Sequence, residues 1–267
     1  MGRYLHAALG VGQRKTGKEG CVSRIISWFS CGAASAVATK LAIAESKTPV
    51  EVVYCHVKEE HPDNLRFMKD CEKWFGQPIK VIQNEKYNGS IYEVFEKRKY
   101  IVGIGGAPCT VHLKKDMRKE FERPTDIQVF GYTVEEQDRV DRFIDANNDV
   151  NLWSILIDKG LKKSDCLAMI DRAGIELPAM YKLGYQNNNC IGCVKGGLGY
   201  WNKIRHDFPE QFDRMAGIER TVGAKILKHK GERIWLTELP LDAGDYPTEQ
   251  SIECGIFCHM AEEDLKL

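Results

Sequence analysis

The sequence predicts an α/β protein: a parallel, doubly wound sheet with helices on both faces. Three observations lead there. Short β-rich runs alternate with helical segments of about ten to fifteen residues. One run, Val50 to Val57, is apolar, β-branched and aromatic throughout, as suits a strand buried on both faces. A small-residue turn, Ser30-Cys31-Gly32-Ala33-Ala34-Ser35, joins the first strand to an Ala-rich helix. Such alternation implies right-handed βαβ crossovers.

Taken in order, Arg24 to Phe29 reads as the first strand and Ala33 to Glu45 as its helix. Val50 to Val57 is the second strand, and Pro62 to Phe75 is a helix that stops at Gly76. Ile79 to Ile82 is the third strand. Ser90 to Arg98 and Val111 to Glu122 read as helices flanking a glycine-rich loop, the second with Thr110 as its N-cap. Asp126 to Tyr132 is the fourth strand. Thr133 and Glu136 have the spacing of a capping box, which makes Val134 to Ala146 helical. Leu152 to Ile157 is a fifth apolar run. Beyond residue 158 the rhythm turns helical, over Ser164 to Ala173 and Tyr200 to Met215, broken by polar Gln186 to Asn189 and turn-rich Leu239 to Pro247. The expected organisation is a loose leader over 1–22, an α/β domain over 23–158 and a mostly helical, cysteine-bearing lobe over 159–267. No internal repeat is present.

The 38 basic and 38 acidic side chains balance, which excludes a globally basic nucleic-acid binder and leaves room only for a local basic patch. With 43% apolar residues, 267 residues bury a core without staples. No apolar run reaches the roughly 18 residues that cross a bilayer, and the first residues lack the apolar core of a secretory signal. The expectation is a soluble, cytoplasmic protein with no membrane partner.

In a doubly wound sheet, ligands sit beyond the carboxyl ends of the strands. The turn after the first strand therefore makes Ser30, Cys31, Gly32 and Ser35 candidates for holding an anion on helix amides, with the two serines as added donors. A plain tight turn needs the same glycine. Neither a Walker A loop nor a three-glycine dinucleotide fingerprint is present. Lys114, Lys115, Arg118 and Lys119 share one helix face, either solvated or phosphate-binding. Glu136 and Arg139 follow the fourth strand at the spacing of a helical ion pair. Trp153, Trp201 and Trp235 suit core positions, and His61, His112 and His206 show no triad spacing.

Ten cysteines stand out in a chain with no sign of export. Cys21, Cys55, Cys71 and Cys166 lie in regular strand or helix patterns and read as small buried hydrophobes. Cys31, Cys109, Cys190, Cys193, Cys254 and Cys258 sit beside glycines, prolines or each other. Cys190 and Cys193 have the spacing that offers two thiolates to one centre, and Cys254 and Cys258 form a second close pair. An iron–sulfur site would take Cys109, Cys190, Cys193 and one of the last pair; zinc would take the two pairs, with His259 in reserve; free thiols are the third reading.

Ser30, Gly32 and Ser35 match the Ser-Gly-Gly-Lys-Asp-Ser order of the PP-loop in the adenine nucleotide α-hydrolase superfamily, while Cys31, Ala33 and Ala34 depart from it. Further on, Leu177-Pro178-Ala179-Met180-Tyr181-Lys182-Leu183-Gly184-Tyr185 and Ile191-Gly192-Cys193 resemble segments of the phosphoadenosine phosphosulfate (PAPS) reductase family. Cys109-Thr110 with Leu113-Lys114 is similar to a segment of that family's DNA-phosphorothioation branch. Glu253-Cys254-Gly255-Ile256 resembles the start of its Glu-Cys-Gly-Leu-His motif, with Phe257 where that motif has His. The resemblance implies a Rossmann-like fold of the PP-loop (HUP) type that binds ATP or PAPS through Ser30, Cys31, Gly32, Ser35, Lys114, Glu136 and Arg139. It also implies Cys254 as nucleophile and a [4Fe–4S] cluster, or zinc, on Cys109, Cys190, Cys193 and Cys258. The activities implied are sulfonucleotide reduction with a thioredoxin-like electron donor, or ATP-dependent modification of DNA or RNA. A non-catalytic nucleotide-binding regulator is the remaining alternative. The oligomeric state is left open.

Overall fold

The computed structural model describes residues 24–103 and 106–249. The expected leader over 1–22, Cys21, Cys254, Cys258 and His259 lie outside them.

The chain begins with β1 (Ile25–Phe29), α1 (Ala33–Glu45), β2 (Val50–Cys55), α2 (Asn64–Phe75) and β3 (Lys80–Ile82). Next come α3 (Ile91–Arg98), then α4 (Pro108–Thr110) and α5 (Asp116–Phe121) joined by a π-helical turn, Val111–Lys115. Then come β4 (Ile127–Val129), α6 (Gln137–Ala146) and β5 (Asn151–Trp153), and after them α7 (Ile155–Asp158), α8 (Lys163–Arg172) and α9 (Ala179–Lys182). The helices α10 (Leu198–Asp207) and α11 (Pro209–Val222) precede a hairpin of β6 (Leu227–His229) and β7 (Glu232–Ile234).

The first five strands form one parallel sheet in the order β3-β2-β1-β4-β5. The alternation of β1 explains its two covered faces. Ile25 and Phe29 join a core with residues of α1, α2 and α8, while Ile26 and Trp28 join another with Val140 and Phe143 of α6. Polar residues in these layers are paired: Ser27 Oγ lies 2.8 Å from Thr39 Oγ1, and Trp28 Nε1 donates to Gln128 Oε1 at 3.1 Å. Ala-rich α1 is buried along much of its length because small side chains let it lie close to the sheet and α8. A third core, away from the sheet, combines α3 and Leu113 with α10, α11 and the hairpin. The cores thus interleave along the sequence, since α8 lies on α1 while α3 belongs with the late helices.

The α/β class and the order of strands and helices agree with the sequence, with four local corrections. Helix starts at Pro108, whose missing N–H suits a first turn, so Thr110 is inside the helix and not its N-cap. Tyr200 to Met215 is two helices, because Pro209 cannot extend α10 and instead opens α11. Of the fifth apolar run, only Leu152 and Trp153 are strand, within β5, the chain turning at Ser154 into α7. The β6–β7 hairpin has no counterpart in the sequence reading. Cys55, Cys71 and Cys166 are buried as expected, and burial pushes the Cys55 and Cys166 thiols up to about 12. Among the described residues, no helix is long and apolar enough to cross a membrane.

Candidate functional site

β1 has β2 on one side and β4 on the other, so the crevice beyond the carboxyl ends of β1 and β4 is the sheet's topological switch point. A cavity of about 500 Å³ occupies it. Its lining includes Ser30 and Gly32 after β1, Phe130 to Thr133 after β4, Glu136 and Arg139 at the start of α6, and Gln186 to Asn189. Of the predicted residues, Ser30, Gly32, Ser35, Lys114, Glu136 and Arg139 all line it. Cys31 does not. Its backbone adopts φ 55, and its buried thiol faces the Asn64 carbonyl at 3.8 Å, where burial pushes it well up.

The turn itself is tightly wired. Ser30 donates from its N–H and from Oγ to Ser35 Oγ, each at 3.0 Å, and Ser35 Oγ donates to the Gly32 carbonyl at 2.9 Å. The Ser35 hydroxyl therefore shapes the loop in place of offering the spare donor expected of it. The Tyr181 oxygen bonds the backbone amides of Ala33 and Asn188, and burial raises its phenol. Among the described residues, what remains at the mouth of α1 is the first-turn N–H of Ala34 and of Ser35, donors that a helix N-terminus leaves without intrahelical partners. Gly131 makes this approach possible, since a Cβ there would stand 2.5 Å from Ser35 N and 2.8 Å from the Ala34 carbonyl carbon.

The expected solvated or phosphate-facing basic face is divided. Lys114, Lys115 and Arg118 are buried, and only Lys119 is exposed. The π-helical turn brings Lys114 into the cavity, its Nζ 3.3 Å from Glu60 Oε1. Glu60 also accepts from Tyr54 Oη at 2.5 Å and Asn64 Nδ2 at 3.1 Å, and burial beside that carboxylate drives the Tyr54 phenol far up. Across the cavity, the capping box holds: Thr133 N–H donates to Glu136 Oε2 at 3.2 Å. Arg139 bonds Glu136 Oε1 at 2.6 Å and lies 5.1 Å from the Tyr132 ring centre.

Glu60, Gly131, Lys163 and Asn188 are among the lining residues that the sequence does not single out. Lys163, at the start of α8, donates to the Gln186 carbonyl and to Asn187 Oδ1 at 2.6 Å, and burial lowers its pKa. Asn188 Nδ2 donates to the Cys31 carbonyl and to Asn64 Oδ1, each at 2.7 Å, tying the wall to the turn. Gly131, between the fourth strand and a capping box, carried a readable signal. The other three arrive from distant segments.

Cys190 and Cys193 are buried and Cys109 is half-buried; all three join the core away from the sheet. Cys109 occupies the first turn of a helix, where a loop was expected. The Cys190-Ile191-Gly192-Cys193 turn has φ 76 at Gly192, and Tyr200 spans it, accepting from Cys193 N–H at 2.9 Å and donating to the Cys190 carbonyl at 3.2 Å. Two buried sulfurs on a rigid turn, with a third in the same core, suit a thiophilic metal or cluster. Among the described residues, no three His, Cys, Asp or Glu side chains form a metal-holding group. The segment Gln186 to Asn189 separates this turn from the cavity.

Neither the protein-family models nor the curated proteins compared with this chain give a match.

Proposed function

We propose that the chain is a PAPS-reductase-like enzyme of the PP-loop type that binds an adenine nucleotide in the switch-point cavity and carries out sulfonucleotide reduction or sulfur transfer. One observation carries the reading: a cavity at the carboxyl ends of β1 and β4, of a volume usual for small-ligand sites, is lined by the α1 turn and three cationic side chains, Lys114, Arg139 and Lys163. In this reading the Ala34 and Ser35 amides and the three cations bind the anionic end. Tyr54, Phe130 and Tyr132 offer aromatic surface to the base. Cys254 attacks the transferred sulfur and the nucleotide leaves. Two electrons from a thioredoxin-like dithiol then release sulfite as that dithiol becomes a disulfide. Cys109, Cys190, Cys193 and Cys258 would hold the cluster, which supplies electron or sulfur handling when bound.

A second reading, ATP-dependent modification of DNA or RNA, is favoured by the helical run that carries both Cys109, in the same core as the Cys190–Cys193 turn, and Lys114, in the cavity. Anaerobically purified protein tests both. Sulfite released from PAPS supports reduction, and pyrophosphate released from ATP only with nucleic acid supports modification. Nucleotide binding without turnover leaves the regulator, and calorimetric titration with no binding of PAPS or ATP overturns the nucleotide reading. Iron and sulfide content tests the cluster separately.

A further inference from the structure

The turn residue and the excess positive charge of the β6–β7 hairpin are not explained by its own folding. Its two-residue turn, Lys230-Gly231, has φ 47 and 91, the left-handed pair that a tight hairpin needs and that glycine or asparagine adopts most cheaply. Here the first position is lysine. One step back, Lys228 stands directly opposite Arg233, and like charges facing each other across a ladder destabilise it. All three side chains are exposed. Residues 225–233 hold four cations and one carboxylate in a chain whose charges cancel overall. Among the described residues, neither Lys228, Lys230 nor Arg233 has an ion-pair partner, whereas Lys225 lies 4.0 Å from Glu238; one Arg233 nitrogen donates to the carbonyls of Lys225 and Ile226, each at 3.2 Å, which holds that guanidinium against the base of the hairpin with its charge unneutralised.

The same ribbon is rigidly mounted. Glu219 of α11, fully buried, accepts the Ile226 N–H at 2.8 Å and the Leu236 N–H at 2.7 Å, so one carboxylate clamps both ends of the hairpin. Beside it Arg220 stacks on the half-buried Trp235, 4.1 Å from the ring centre, extending the cationic surface with a flat face. No large exposed hydrophobic residue lies between 220 and 235, which disfavours insertion into lipid.

We propose that the β6–β7 hairpin, through Lys228, Lys230 and Arg233 with Arg220 beside them, is a binding surface for the phosphodiester backbone of a nucleic acid. Fixed cations on a narrow ribbon match regularly spaced phosphates, and the exposed guanidinium on Trp235 suits stacking with a base. The inference is independent of what the switch-point cavity binds.

Fluorescence anisotropy of the full chain with a labelled single strand, and with its duplex, tests it without nucleotide. Affinity should fall steeply with salt. The Lys228→Glu, Lys230→Glu, Arg233→Glu variant should bind at least about tenfold more weakly with a shallower salt slope, each lost phosphate contact removing roughly 0.7 to 0.9 from it. Lys230→Gly guards against misfolding as the cause: glycine eases the turn, so this variant should melt higher than the parent and yet bind more weakly. The comparison of strand and duplex identifies the form preferred. The proposal is overturned if neither form binds, if the triple variant binds like the parent, or if polyglutamate competes as well as the oligonucleotide. Loss of PAPS or ATP binding in the cavity would leave these results untouched.

Discussion

At the scale of single residues, Gly131 is the most exacting position. Its hypothetical Cβ meets backbone atoms of Ala34 and Ser35, which belong to a helix packed on the sheet and cannot swing aside as a side chain would. Gly131→Ala should therefore push the start of α1 out of place, costing about 1–3 kcal/mol as overpacking does. A thermal melt checks the stability, and calorimetric titration should show PAPS or ATP bound at least about tenfold more weakly, one such factor being roughly 1.4 kcal/mol. An unchanged affinity would mean that the α1 amides do not hold the ligand. Sequence reading reached Ser30, Gly32 and Ser35 because they follow the first strand directly, and Glu136 and Arg139 because they open the helix after the fourth, so local pattern and site coincide. Asn188 meets Cys31 and Asn64 across 157 and 124 residues of sequence, and Lys163 meets Gln186 and Asn187 across 23 and 24, and no local period encodes such meetings.

At the scale of elements, α2 holds the segment that carries Tyr181. The Asp63 carboxylate accepts from Arg66 Nε at 2.6 Å and from the Ala179 N–H at 2.9 Å, while Arg66 reaches the carbonyls of Glu176 and Leu177 at 3.0 and 3.1 Å. The Arg66 guanidinium holds the Asp63 carboxyl below its ordinary value. Because the folded pKa is the lower one, the stabilisation is fully present above the unfolded value of about 3.9 and is lost as the pH falls through the folded pKa. Asp63→Asn should cost about 1–2 kcal/mol at neutral pH, the scale of charge-assisted hydrogen bonds. The gap between parent and variant urea midpoints should narrow once the pH falls below about 4; a gap that stays constant would sink this linkage. Elements themselves were legible where pattern and punctuation agreed, as at Gly76, whose φ of 75 ends α2 where the sequence places the stop. The hairpin was not legible, since a Lys-Gly turn between three-residue strands offers too few alternating positions to register as a strand pair.

At the scale of the whole molecule, the cavity joins two separately cored parts. Its floor comes from the sheet and α1, and its wall, Gln186 to Asn189, runs directly into the Cys190 turn of the core away from the sheet. Asn188 and Lys163 fasten that wall, the first to the α1 turn and the second to α8, so a ligand filling the cavity touches both parts at once. Binding only to the folded form stabilises it by about 2.7 kcal/mol at a hundredfold excess over Kd. For a chain of this size each kcal/mol raises Tm by roughly 2–4 °C, so a saturating nucleotide should lift the melt by about 5–10 °C. If the wall couples the two cores, calorimetry should show all of the unfolding heat moving up together. A ligand-sensitive transition beside an unmoved one would instead mean that only the sheet-bearing part grips the nucleotide. The thiol turn would then sense occupancy of the cavity only through chemistry at the sulfurs, and not through the backbone that links them.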